Sequence, residues 1–130
     1  ELHRTDGSLD FLADRELDFV YSHIVFQHLP RKAYVDRYLR EASRVLKPGG
    51  TLVYSTCSLE LEEGEAQIAA LLARNPDIKV DPILPGDVFR QSDWLQPPGF
   101  LRTFPYQLDL GTPEWSGMDG FFAARLKRKK

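Results

Sequence analysis

Residues 44–58 read RVLKPGGTLVYSTCS. Arg44-Val45-Leu46-Lys47 closes a run in which Val35, Tyr38, Leu39, Ala42, Val45 and Leu46 recur at spacings of three and four, one apolar face of a helix. Pro48-Gly49-Gly50 cannot continue that helix and turns the chain. Thr51-Leu52-Val53-Tyr54-Ser55 is β-branched and aromatic, the composition of a strand. The strand runs into Thr56-Cys57-Ser58, which holds the only cysteine of the chain. Helix, tight turn, buried strand and a lone thiol at the strand's carboxyl end therefore occur within one short stretch.

Working outward, Leu17-Asp18-Phe19-Val20-Tyr21-Ser22 reads as an earlier buried strand. Leu29-Pro30 begins the helix that ends near Lys47, since proline suits a first helical turn. Downstream, Leu59–Ala73 reads as a second helix, with Ile68, Leu71 and Leu72 on its buried side. Glu62, Glu63 and Glu65 fall in its first turns, where the helix dipole favours anions. Ile78-Lys79-Val80 is a short strand, and residues 82–99, with Pro82, Pro85, Pro97 and Pro98, read as a long irregular loop. Phe100–Leu108 has extended character, and Asp119-Gly120 turns the chain into a last strand, Phe121–Leu126. Strands alternating with helices predict an α/β fold with a largely parallel sheet. Such sheets bind ligands beyond the carboxyl ends of their strands, which puts Cys57 in a site position by topology.

Composition narrows the class. The chain has 130 residues, 42% of them hydrophobic and 28% charged, with a net charge of −2: an ordinary globular composition for one domain. No apolar run has the length of a membrane span, and Glu1-Leu2-His3-Arg4 does not open a signal peptide. One cysteine excludes an internal disulfide and favours a reducing, cytoplasmic setting. The charge is uneven: residues 1–20 carry six acids against Arg4 and Arg15, and residues 125–130 carry five bases. That basic end reads as a solubilising tail or a weak phosphate contact.

Residues 51–65 and 99–126 resemble the RNA (cytosine-5) methyltransferases, the branch that modifies ribosomal and transfer RNA. The resemblance rests on Thr51-Leu52-Val53-Tyr54-Ser55-Thr56-Cys57-Ser58-Leu59, on Glu62-Glu63 and Glu65, on Leu101-Arg102-Thr103 with Pro105, and on Gly117–Leu126. Residues 1–50 resemble class I S-adenosyl-L-methionine methyltransferases more generally, through Asp18–Ser22, Val25–Pro30 and Arg44–Gly50. The style changes near residues 44–52, as in a chimera, a truncated protein or a divergent natural one. A single partial catalytic domain over 1–130 is expected, general class I in 1–50 and cytosine-5-like in 51–130.

The resemblance implies a three-layer, class I methyltransferase-like (Rossmann-like) sheet, truncated on its N-terminal side. Its last strand should be antiparallel and internal. It also implies S-adenosyl-L-methionine as cofactor, an RNA partner, and Cys57 as a covalent nucleophile, the thiolate adding to cytosine carbon 6. By the same resemblance Asp6 and Ser22 fall at the cofactor, and Thr56, Ser58 and Arg102 at the RNA. Each has a plainer reading. A lone cysteine is commonly a small buried hydrophobe, Asp6-Gly7 is turn chemistry, and Arg102 is by default a surface arginine. His28 resembles a site position of small-molecule methyltransferases, or is a polar residue at a helix entry. Two departures from the family matter. Ser22-His23-Ile24-Val25-Phe26 stands where an Asp-Ala-Pro-Cys element is expected, so His23 occupies the place of an acid. The glycine-rich cofactor loop is also missing. A small-molecule methyltransferase or a catalytically silent fragment are the competing functions. Missing strands would leave an apolar sheet edge and face open to self-association.

Overall fold

The computed structural model describes residues 8–23 and 32–130. Asp6, Val25–Pro30 and His28 lie outside the described residues. The described elements are β1 (Leu17–His23), α1 (Lys32–Val45), β2 (Leu46–Thr56), α2 (Glu65–Arg74), β3 (Ile78–Val80), β4 (Leu95–Gln96), β5 (Phe100–Thr103) and β6 (Phe121–Arg128). One sheet holds all six strands, ordered β1-β2-β6-β5-β4, with β3 also paired to β6. β1 and β2 pair parallel, whereas β6 runs antiparallel to β2, β3 and β5, and β4 antiparallel to β5, so the sheet is mixed and not the largely parallel one expected. The expected antiparallel, internal last strand is therefore present, and the fold is the α/β sheet of class I methyltransferases.

The deciding stretch folds with one difference. α1 stops at Val45, and Leu46 already pairs with Leu17 of β1. The next pair is Phe19 with Thr51, so Lys47-Pro48-Gly49-Gly50 forms a bulge inside the strand instead of a free turn. Gly49 sits at φ +82°, which a side chain would oppose. A Cβ on Gly50 would lie 2.9 Å from the Lys47 carbonyl oxygen and 3.2 Å from that of Asp18, so the bulge closes only on glycine.

Alternation along the strands sorts the sheet's two faces. Leu52 and Tyr54 of β2 share a face with Val20 of β1, Phe122, Ala124 and Leu126 of β6, and Phe100 of β5. Both α-helices bury their apolar sides on this face: Val35, Leu39 and Ala42 from α1, Ile68 and Leu71 from α2. The opposite face carries Phe19 and Tyr21, which stack at 5.9 Å and are 55% and 69% exposed.

The second helix begins at Glu65 and not at Leu59. Glu62 and Glu63 thus precede it and do not sit on its dipole. Their carbonyls are taken by side chains, Glu62 O by Gln67 Nε2 and Glu63 O by the Tyr54 hydroxyl, so residues 59–64 close as turns instead. The 82–99 segment is irregular as expected, with two short 3-10 turns. The extended segment after it ends at Thr103, short of Leu108. Three of the five bases of the basic end, Arg125, Arg128 and Lys129, do not form a free tail. Arg125 pairs with Asp81 and Asp87, and Lys129 donates to Pro76 O. Arg128 pairs with Asp77 and donates to the carbonyls of Ser43 and Leu46, closing the C-terminus of α1.

Candidate active site

Because β1 and β2 are parallel, their carboxyl ends share one end of the sheet, and the register aligns Ser22 with Tyr54 and His23 with Ser55. The antiparallel β6 brings its first residue, Phe121, to the same end, opposite Thr103 of β5. Cys57 follows β2 directly there and is half-buried.

The loop from Cys57 to Gly64 is held at many points. Thr56 is 1% exposed, and its Oγ1 accepts from the Ser58 amide at 3.3 Å. Ser58 Oγ in turn accepts from the Glu60 amide at 3.1 Å. These two hydroxyls shape the turn beside the thiol, a role the substrate-contact expectation did not include. The Tyr54 hydroxyl donates to Glu63 O at 2.5 Å. Burial, and then the charge of Glu63, push the Tyr54 phenol up to about 12. Leu59 lies over Gly120: a Cβ there would come within 2.3 Å of Leu59 Cδ2. The Asp119-Gly120 turn thus serves the site as well as the strand, and Asp119 O accepts from Thr103 Oγ1 at 2.9 Å.

Arg102 is not where the sequence suggested. It is 2% exposed, and its guanidinium points inward. Nε and Nη2 meet the two carboxylate oxygens of Glu65 at 3.1 and 2.5 Å, and Nη1 donates to Ser58 O at 2.7 Å. A phosphate contact is excluded by that burial. Sequence carried one signal of this: Phe100 and Arg102 share a strand face, so a charge stands on a side that is otherwise apolar.

His23 Nδ1 lies 3.0 Å from Ser55 Oγ, which donates to Ser22 O at 3.2 Å. With the single hydroxyl hydrogen placed on that carbonyl, Nδ1 is the donor to Ser55, and Nε2 is the basic atom of the neutral ring. The His23 ring rests against Phe121 at 5.8 Å. Ser22 Oγ is buried without a hydrogen-bond partner among the described residues. Among the described residues no cluster of His, Cys, Asp or Glu could hold a metal ion, and no helix is long and apolar enough to cross a membrane.

This mixed sheet, with Cys57 and the buried Ser22 Oγ at the carboxyl ends of β2 and β1, has the α/β fold of S-adenosyl-L-methionine-dependent methyltransferases. Sequence comparison then places the chain: residues 28–127 match the family "16S rRNA methyltransferase RsmB/F", and the chain belongs to that family. That match covers residues on both sides of the 44–52 stretch. The Ribosomal RNA small subunit methyltransferase F of Klebsiella pneumoniae (strain 342) is 42% identical over 89 residues, which are 67% of this chain and 17% of the relative. That of Salmonella paratyphi B is 42% identical over 91 residues, 69% of this chain and 17% of the relative. The chain thus spans about a sixth of the length of these curated relatives. Among solved structures, a methyltransferase homolog protein from Pyrococcus horikoshii superposes with a TM-score of 0.54 at 26% identity, over 87% of this chain and 39% of that one. NSun6 from Pyrococcus horikoshii, solved with SFG, superposes with a TM-score of 0.52 at 24% identity, over 75% of this chain and 22% of that one.

Proposed function

We propose that residues 1–130 are part of one catalytic domain of an RNA methyltransferase that methylates carbon 5 of a cytosine in ribosomal RNA, in the cytoplasm, with Cys57 as covalent nucleophile. The observation that carries this reading is the position of the chain's only thiol. It sits at the carboxyl end of β2, beside the ends of β1 and β6, in a loop braced on several sides. The family match favours RNA over a small-molecule acceptor.

S-adenosyl-L-methionine, when bound, supplies an electrophilic methyl group. The described residues fit one wall of its site, since the buried and unpaired Ser22 Oγ is a hydroxyl that a polar ligand atom would satisfy. Asp6 is proposed for the same cofactor. Cys57, as thiolate, forms a bond to cytosine carbon 6, which makes carbon 5 nucleophilic toward the methyl group. The carbon 5 proton must then leave to a base, and the carbon 6–sulfur bond breaks to return the thiolate. His23 Nε2 is the proposed proton acceptor, its ring oriented through Nδ1 by Ser55. Thr56 and Ser58 act at the RNA through the turn they shape around the thiol.

RNA carrying 5-fluorocytosine tests this reading, because fluorine blocks the elimination. With cofactor present, the wild type should give a protein–RNA adduct on a denaturing gel, and Cys57→Ala should give none while its cofactor affinity by calorimetry is unchanged. Equal absence of adduct in both, with cofactor bound, would favour a silent fragment.

A further inference from the structure

Arg102 is the largest side chain among those almost wholly buried, and no step of the chemistry uses it. Its neighbours span the sheet. Thr56 of β2 pairs with Phe122 of β6, and Phe122 pairs with Arg102 of β5, so the three form one row across three strands on one face. From the far end of the row the guanidinium crosses the Phe122 ring, 4.9 Å from its centroid, and reaches the residue after Cys57. Its other edge grips Glu65, the first residue of α2, through both carboxylate oxygens. A planar fork held this way fixes direction as well as distance.

The surroundings are built for the fork. A Cβ on Gly64 would stand 2.6 Å from Arg102 Nη2 and 3.1 Å from the Phe122 ring, so this corner admits the guanidinium only beside glycine. Stability alone does not require the arrangement, because apolar residues of equal volume commonly match or exceed a buried ion pair. What the pair adds is geometry: both ends of the 57–64 loop are tied to one rigid side chain.

We propose that Arg102, locked by Glu65, is a positioning residue that holds the Ser58 carbonyl and thereby fixes the orientation of the Cys57 thiol toward the base. The inference rests on the reading of Cys57 as the site's nucleophile. The alkylation and deuterium-uptake arms of its test do not depend on that reading.

Because Cys57 is the only thiol, alkylation by iodoacetamide reports one residue, and its pH–rate profile can be followed in the full chain. Glu65→Gln keeps the shape and removes the charge. Gly64→Ala keeps both charged partners and displaces the fork. In each, alkylation of Cys57 and deuterium uptake of residues 57–64 should accelerate about tenfold, the effect of one charge-assisted hydrogen bond on local opening. Uptake in Leu52–Tyr54 and Phe122–Leu126 should stay unchanged. Arg102→Lys, which retains charge without the fork, should fall between the wild type and these variants. In RNA methyl transfer by the wild type and Glu65→Gln, kcat should drop with KM for RNA unchanged. Alkylation at the wild-type rate, or uptake rising equally in loop and core strands, would overturn the proposal and leave Arg102 a stability residue. Loss of the Cys57 reading would show separately, as methyl transfer persisting in Cys57→Ala.

Discussion

Phe122 is the residue on which the sheet's interior and the site most depend. It is wholly buried, with its ring 6.3 Å from that of Tyr54 and 5.4 Å from that of Phe100, both edge-on, and with Arg102 above it. Phe122→Ala removes the ring and leaves a cavity, a change that costs about 3–5 kcal/mol. Phe122→Leu keeps most of the volume and isolates the ring's own contribution. Two aromatic pairs at about 0.5–1.5 kcal/mol each and a desolvated cation–π contact of about 1–2 kcal/mol give about 2–5 kcal/mol with little cavity term. Domains of this size are stable by about 5–15 kcal/mol, so the leucine variant folds and can be measured. Urea unfolding followed by circular dichroism gives both midpoint and slope. A loss below about 1 kcal/mol in Phe122→Leu, at unchanged slope, would refute the assignment of the ring as the joint between Tyr54, Phe100 and Arg102.

Three further outcomes are expected. Tyr54 titrates at about 12 in the folded chain, against about 10 when unfolded. The native state therefore holds the proton longer than the unfolded state, so stability falls as pH rises between those values. Tyr54→Phe should abolish that slope in urea midpoints measured from pH 9 to 12. His23→Gln should slow methyl transfer by about a hundredfold, within the range for losing a general base. It should also accumulate the covalent adduct on ordinary cytosine RNA, and an unchanged rate would remove His23 from the mechanism. The outer edge of β1 is unpaired among the described residues, and Phe19 and Tyr21 are exposed beside it. The chain should therefore elute above monomer size at high concentration, and as a monomer after Phe19→Lys with Tyr21→Lys.

What was legible in the sequence follows the range of each interaction. The strand at Leu17, the helix face from Val35 to Val45 and the strand through Tyr54 are fixed by neighbours three, four or two residues apart, and all three formed, but β1 is an edge strand with Phe19 and Tyr21 exposed and not the buried strand expected. The internal place of β6 came from resemblance, because no periodicity says which strands a run will pair with. The start of α2 was misjudged because Tyr54 and Gln67 take the carbonyls that would have begun the helix earlier. Arg125 and Arg128 looked like a tail because their partners, Asp81, Asp87 and Asp77, lie more than 30 residues upstream.

The same distinction explains why the site was half visible. Cys57 announces itself through its local context, whereas what orients it arrives from β1, β5 and α2. Arg102 lies 37 residues from Glu65 and 44 from Ser58, and only the register that aligns Thr56, Phe122 and Arg102 brings the three together. That register is set by apolar contacts: shifting β6 by one residue would send Phe122 to the opposite face of the sheet and break its row with Thr56 and Arg102. Burial of Phe122 therefore selects the alignment, and the alignment places the guanidinium. The geometry around the thiol is thus a consequence of core packing, and substitutions at Phe122 should disturb Cys57 reactivity although the ring makes no contact with substrate chemistry.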